Sequence, residues 1–184
     1  MILYEGRPEV SSGRQEKEMK VYDLLDSLGI TYQRTDHKAV ATIEDCLEVD
    51  RILEVRICKN LFLCNRQKTA YYLLLIPGDK TLKTKELSKR IPTSRLSFAS
   101  GEDMERYLNV SPGSATVMGL LFDPDHKVQL LIDEEVLKEE YFGCHPCVNT
   151  SSIRFRTEDM LQKVLKAVDH DYITVSLSDG GEEK

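Results

Sequence analysis

No stretch of this 184-residue chain approaches the roughly 20 consecutive apolar residues that a membrane-spanning helix needs. The opening residues, MILYEGRPEV, interrupt a short apolar start with Glu5 and Pro8, where a secretion signal needs a longer apolar segment. Both absences lead to the expectation of a soluble, cytoplasmic protein with no membrane partner. Cysteine is sparse, with five residues at irregular spacing. An odd count without a secretion signal argues against a disulfide framework and leaves reduced thiols as the expectation. A basic surplus is also missing: 25 Lys and Arg face 31 Asp and Glu, a formal net charge of −6. That balance argues against indiscriminate phosphate neutralisation, and DNA is not an expected partner.

Hydrophobic residues make up 41% of the chain and charged residues 30%, a globular composition. Residues 1–14 are polar and aperiodic and are expected to form a leader arm. Residues 15–177 are expected to form one domain, and 178–184 an acidic tail. Met19, Tyr22, Leu25 and Leu28 recur at helical spacing before Gly29, which predicts a first helix. ITYQRT predicts a strand, and TIEDCLEV a helix opening at Thr42. VRICKNLFLCN and TAYYLLLIP are β-rich runs around RQK, the pattern of a hairpin. Helices are expected at 84–91, at 101–108 with Ser100 three residues before Asp103, and over TEDMLQKVLKAV. RLSFA, KVQLLID, SSIRFR and YITVSL read as strands, and VSPGSATV as a loop. Hairpins mixed with helices give an α+β (mixed α/β) class, with a mixed, curved sheet flanked by helices.

The most chemically loaded stretch is YFGCHPCVNTSS, residues 141–152. A structural zinc site closes with four Cys or His ligands, commonly in two spaced pairs. Cys144 and Cys147 form one pair, and no second C-x-x-C or H-x-x-x-H exists, so no metal is expected. A redox dithiol places its first cysteine at a helix N-terminus, but VNTSSIRFR reads as strand. The wall of an active site is a third reading: Gly143 allows close backbone approach, Pro146 stiffens the loop, and His145 and Asn149 offer hydrogen-bonding groups. A buried loop whose histidine merely satisfies its neighbours is the alternative. Cys144 beside His145 suggests a nucleophile–base pair, but neighbours on an extended segment face opposite ways.

CKNLFLCN supplies a companion. Strand alternation puts Lys59 on one face with Leu61 and Leu63, and Cys58, Asn60 and Phe62 on the other. A lysine in so apolar a run is an edge-strand guard against aggregation, or a cation at a pocket floor that grips a phosphate or carbonyl oxygen. Residues 79–95 form a basic strip that includes Lys80, Lys83, Lys85 and Lys89, which is a solvated helix face or a contact for nucleic-acid phosphates.

CKNLFL, YYLLLIPGDK, RLSFAS, VSPGSATVMGL and GCHPCVNTSSI, in this order, resemble the YbaK/ProX-type aminoacyl-tRNA deacylases. These are free-standing relatives of the editing domain of bacterial prolyl-tRNA synthetases. The resemblance runs from about Tyr32 to Leu177 and is greatest to the ProX branch, which clears alanine from proline tRNA. It implies that Lys59, Asn60 and His145 are catalytic. It also implies that Gly143, Pro146, Asn149, Thr150, Gly113 and Ser114 shape the aminoacyl pocket. Val40, Ile43 and Leu63 are expected as apolar walls, and Lys83, Lys85 and Lys89 as contacts for tRNA phosphates. The implied reaction is attack of water on the aminoacyl ester, assisted by a ribose hydroxyl of the substrate, with no metal or other cofactor and with mischarged proline tRNA as substrate. Prolyl-tRNA synthetase is a further candidate partner. A Cys-tRNA(Pro) deacylase of the YbaK branch and a non-catalytic sensing module are the alternatives. The two cysteines bracketing His145 are not regarded as a family feature.

Overall fold

YYLLLI, at Tyr71–Ile76, shows no polar alternation because it is the middle strand of a sheet buried on both faces. Leu73 and Leu75 enter the larger core, while Leu74 and Ile76 join a second cluster with Leu63, Leu87 and Leu131. In this computed structural model the described residues are 1–39 and 43–178, with residues 43–46 described by backbone alone.

The chain runs β1 (Leu3–Glu5), α1 (Glu16–Ser27), β2 (Gln33–Asp36), α2 (Ile43–Leu53), β3 (Lys59–Asn65), β4 (Tyr71–Ile76) and α3 (Thr84–Arg90). It continues through β5 (Leu96–Phe98), α4 (Gly101–Leu108), a 3-10 segment (Val117–Phe122), β6 (Val128–Asp133), β7 (Tyr141–Cys144) and β8 (Ser151–Arg156). The final elements are α5 (Thr157–Asp159), a π-helical turn (Met160–Val164), α6 (Leu165–Ala167) and β9 (Tyr172–Val175). The fold is α+β, but its strands form two sheets where one was expected. The first is antiparallel, in the order β1-β2-β8-β7. The second is mixed, in the order β5-β3-β4-β6-β9, with β6 parallel to both β4 and β9. The larger core joins both sheets to α1, through Val21, Tyr22 and Leu25 from the helix and Phe62, Leu130, Ile153 and Phe155 from the sheets.

Local chemistry sets several boundaries. Asn65 closes the β3–β4 hairpin, its Oδ1 accepting from the N–H groups of Thr69 and Ala70. Ser100 and Asp103 form the capping box that opens α4, and Asn109 ends it in the left-handed region at φ 53°.

Three expectations are revised. Leu3–Glu5, inside the segment read as a leader arm, pairs with β2 as an edge strand. YFGC, not assigned to a strand from the sequence, is β7, whose few residues and glycine give no alternation to detect. Lys80, counted in the basic strip, is buried at 4% exposure, and its ammonium donates to both Asp133 oxygens, to Glu135 and to the Leu177 carbonyl.

Candidate functional site

Among the described residues β5 pairs with β3 only over Leu63–Asn65, so the first half of β3 has an open edge there. Phe62 turns its carbonyl to that edge, where it accepts from the Ala99 N–H at 3.0 Å. By strand alternation the N–H and C=O of Asn60 face the same way, beyond the reach of β5. A cavity of about 720 Å³ lies against this edge, inside the range typical of small-ligand pockets. Buried Cys58, Phe62, Met104 and Cys144 line it, so its interior is apolar. Leu47, Arg56, Lys59, Asp79 and Phe98 are exposed lining residues and mark the mouth. Pro112, Gly113 and Ala115 of the Pro-Gly turn contribute another side, and His145 and Ser152 a polar one.

The first sheet assembles that polar side. β8 lies between β2 and β7, so the residues just past the ends of β2 and β7, His37 and His145, flank the start of β8. His145 Nδ1 is 3.0 Å from the Ser151 carbonyl oxygen and 3.1 Å from Ser152 Oγ. A carbonyl only accepts, so Nδ1 carries the proton and a neutral ring keeps its lone pair on Nε2. Burial favours that neutral form by lowering the His145 pKa, against the bond to Ser151, and His37 nearby acts in the same direction. Nε2 makes no hydrogen bond to the described residues. Ser152 Oγ in turn lies 2.9 Å from His37 Nε2, while His37 Nδ1 donates to the Lys38 carbonyl at 2.8 Å. The result is a His37–Ser152–His145 chain that fixes the ring at the cavity wall.

Lys59 stands at the mouth, not on a pocket floor. As the first residue of β3 it is exposed, and its ammonium donates to the Lys80 carbonyl at 2.9 Å. No other hydrogen bond of this ammonium is made to the described residues, so its remaining hydrogens face solvent or ligand there. Both ends of the Asn60 side chain are engaged: Nδ2 donates to the Cys58 carbonyl, and Oδ1 accepts from Val117 N–H at 2.9 Å. Thr116 Oγ1 donates to the His145 carbonyl at 2.7 Å. Asn60 and Thr116 thus tie the segment at Thr116–Val117 to β3 on one side and to His145 on the other.

Lys59, Asn60, Gly113 and His145 therefore meet at one cavity, whereas Ser114, Gly143, Pro146, Asn149 and Thr150 do not line it. Ser114 holds the Pro-Gly turn, its Oγ donating to the Ser111 carbonyl and accepting from Ser111 N–H. At Gly143 a Cβ would stand 2.8 Å from Val55 and 2.9 Å from Ile57, so glycine lets β7 press against that wall. Gly113, at φ +86°, places the Pro-Gly turn against Asn149. Pro146 is buried, and the Thr150 carbonyl accepts from His37 N–H at 3.0 Å. Leu63 is no wall, because it points into the second core cluster. Val40 and the Ile43 side chain lie outside the described residues.

Cys144 and His145 both line the cavity, and among the described residues no hydrogen bond joins the thiol to the imidazole. Burial pushes the Cys144 thiol well above its ordinary pKa and raises Cys58 and Cys147 to about 12, which disfavours thiolate chemistry. Among the described residues, no group of three or more His, Cys, Asp or Glu converges as a metal site. Of the residues at this cavity and its polar side, His37, Ser152, Arg56 and Phe98 were not singled out from the sequence. With only four histidines in the chain, His37 was the one with a usable signal.

The model of the aminoacyl-tRNA editing domain matches residues 37–163, more than half of the chain. The chain belongs to the aminoacyl-tRNA editing domain family. It is 30% identical over 153 residues to the prolyl-tRNA editing protein ProX of Acetoanaerobium sticklandii, covering 83% of this chain and 93% of that one. It is also 31% identical over 156 residues to mouse prolyl-tRNA synthetase associated domain-containing protein 1, covering 83% and 91% of the two chains. Among solved structures, a proposed trans-editing enzyme for prolyl tRNA synthetase superposes with a TM-score of 0.65 at 14% identity, covering 90% of this chain and 99% of that one. That likeness supports the fold. Among the described residues no helix is long and apolar enough to cross a membrane.

Proposed function

We propose that this protein is a trans-editing hydrolase that removes alanine from mischarged proline tRNA by attack of water on the aminoacyl ester. As a member of the editing family it is an aminoacyl-tRNA deacylase, and the ProX relative carries prolyl-tRNA editing in its name. The observation behind the mechanism is the meeting of an unprotonated His145 Nε2, the open edge of β3 and an apolar interior at one cavity.

In this reading the amino-acid side chain enters among Cys58, Phe62, Met104 and Cys144. Such a pocket accepts a small apolar group. A synthetase site for proline gains only about 1–3 kcal/mol against a residue lacking methylenes, so a second pocket that takes alanine completes a double sieve. The Asn60 N–H, on an edge without a strand partner, donates to the oxyanion that forms as water adds to the ester carbonyl. His145 Nε2 accepts the proton of that water and returns it to the ribose oxygen as the ester C–O bond breaks, releasing alanine and a free ribose hydroxyl, while Ser151 and Ser152 hold the ring. Lys59 grips the phosphate of the terminal nucleotide at the mouth. Asn60 contributes through its backbone, with its side chain as a strut. Lys83, Lys85 and Lys89 serve the tRNA body through phosphates, and prolyl-tRNA synthetase is the source of the mischarged substrate.

The test is deacylation of proline tRNA charged in turn with Ala, Cys, Ser and Pro, with and without chelator. The expected result is fastest hydrolysis of the Ala ester, a spared Pro ester and no effect of chelator. Faster hydrolysis of the Cys ester would reassign the specificity, and hydrolysis of none would leave a sensing module.

A further inference from the structure

Phe98 is the most exposed phenylalanine or tyrosine among the described residues, at 63%. Nothing in β5 requires an aromatic ring there. Leu96 supplies the buried side chain of the strand, and Leu63, opposite Phe98 in register, is already buried in the second core cluster. Yet Phe98 lines the rim of the cavity, together with Leu47, which is 50% exposed. Two basic side chains share that mouth: Lys59, and Arg56, which pairs with Asp79 at 3.2 Å.

The inference rests on the function proposed above. With the amino acid in the apolar interior, the ester places the ribose of the terminal nucleotide at the opening. The base attached to that ribose then lies on the rim, since the interior is occupied. A nucleobase offers flat apolar faces and polar edges, and a solvated aromatic ring beside cations is the surface that binds such an object by stacking. We propose that Phe98 is the stacking platform for the terminal nucleobase of the RNA 3′ end, with Lys59 and Arg56 beside it for the adjoining phosphate. Stacking tolerates any base, so this subsite supplies affinity and position while the choice of tRNA is made elsewhere.

The chain contains no tryptophan, so Phe98→Trp installs a single tryptophan at the subsite, whose emission is excited selectively over that of the tyrosines. Its emission is titrated with uncharged proline tRNA, with the trinucleotide CpCpA, and with the same trinucleotide carrying an abasic 3′ residue. Deacylation of Ala-tRNA(Pro) is measured in parallel for the wild type, Phe98→Trp and Phe98→Ala. The expected result is quenching by tRNA and CpCpA that the abasic analogue largely loses. Phe98→Ala should lower kcat/KM about tenfold to a hundredfold, mainly through KM, and Phe98→Trp should restore it. Quenching without deacylation of any charged tRNA supports the subsite while removing the proposed reaction. Equal quenching by the abasic analogue, or normal kcat/KM in Phe98→Ala, overturns the inference. So does a wild-type dimer that Phe98→Ala dissociates without any base-dependent quenching, which would make this rim an interface between copies.

Discussion

Lys59 and Lys80 are joined by a hydrogen bond, the ammonium of the first donating to the carbonyl of the second, yet they occupy opposite environments. Lys80 is buried, and Asp133, Glu135 and the Leu177 carbonyl surround its ammonium at 2.8–3.1 Å. Lys59 is exposed at the cavity mouth. The histidines repeat the contrast. His170 has both ring nitrogens engaged, with Asp123 at 3.1 Å and the Val168 carbonyl at 2.8 Å. His145 has one nitrogen held by Ser151 and Ser152 and the other without a described partner, at the wall of the same cavity as Lys59. The same residue types serve the fold where their hydrogen-bonding capacity is filled, and in the proposed function they serve chemistry where part of it is left open.

This contrast can be broken experimentally. The largest effect is expected at Lys59: Lys59→Ala should lower kcat/KM for Ala-tRNA(Pro) about a hundredfold, mainly through KM, with an unchanged melting curve. An unchanged kcat/KM would remove Lys59 from the site. Lys80→Ala should do the reverse. Removing one partner of a buried ion pair leaves Asp133 uncompensated and should cost about 3–5 kcal/mol in chemical denaturation. The part of the protein that remains folded should still turn over substrate. The smallest effect belongs to Lys85 and Lys89, both exposed on α3. Replacing both with alanine should lower the slope of log affinity for tRNA against log salt by roughly one to two, with turnover at saturation near normal. An unchanged slope would make this helix face a solvated surface only.

The sequence was informative where a local rule governs local structure. Helix α4 could be read from Ser100 and Asp103, and the β3–β4 hairpin from two β-rich runs around a polar turn. Alternation along β3 correctly separated Leu63 from Phe62, which fall in different core clusters. It could not show that the cavity sits on the open edge of that strand, where residues of both faces reach it. For that reason the functional reading of Lys59 put it on a floor, and Leu63 was expected on a wall. Strand order was equally hidden, because the hydrophobic pattern of a strand does not name its neighbour. The His37–Ser152–His145 chain exists only because β8 lies between β2 and β7, separating His37 from Ser152 by 115 positions in the chain.

The most direct measurement is the pH dependence of kcat/KM for Ala-tRNA(Pro), from about pH 5 to about pH 8. His145 is held neutral by burial, so its pKa lies below the ordinary 6.5. Nε2 then stays available as a base as the pH falls past that value and is lost only on further acidification. The account predicts a rate that holds through pH 6.5 and falls below it, with Ser152→Ala shifting that limb as the ring loses its support. A limb at or above 6.5, or a profile that His145→Ala leaves unchanged, would contradict the account.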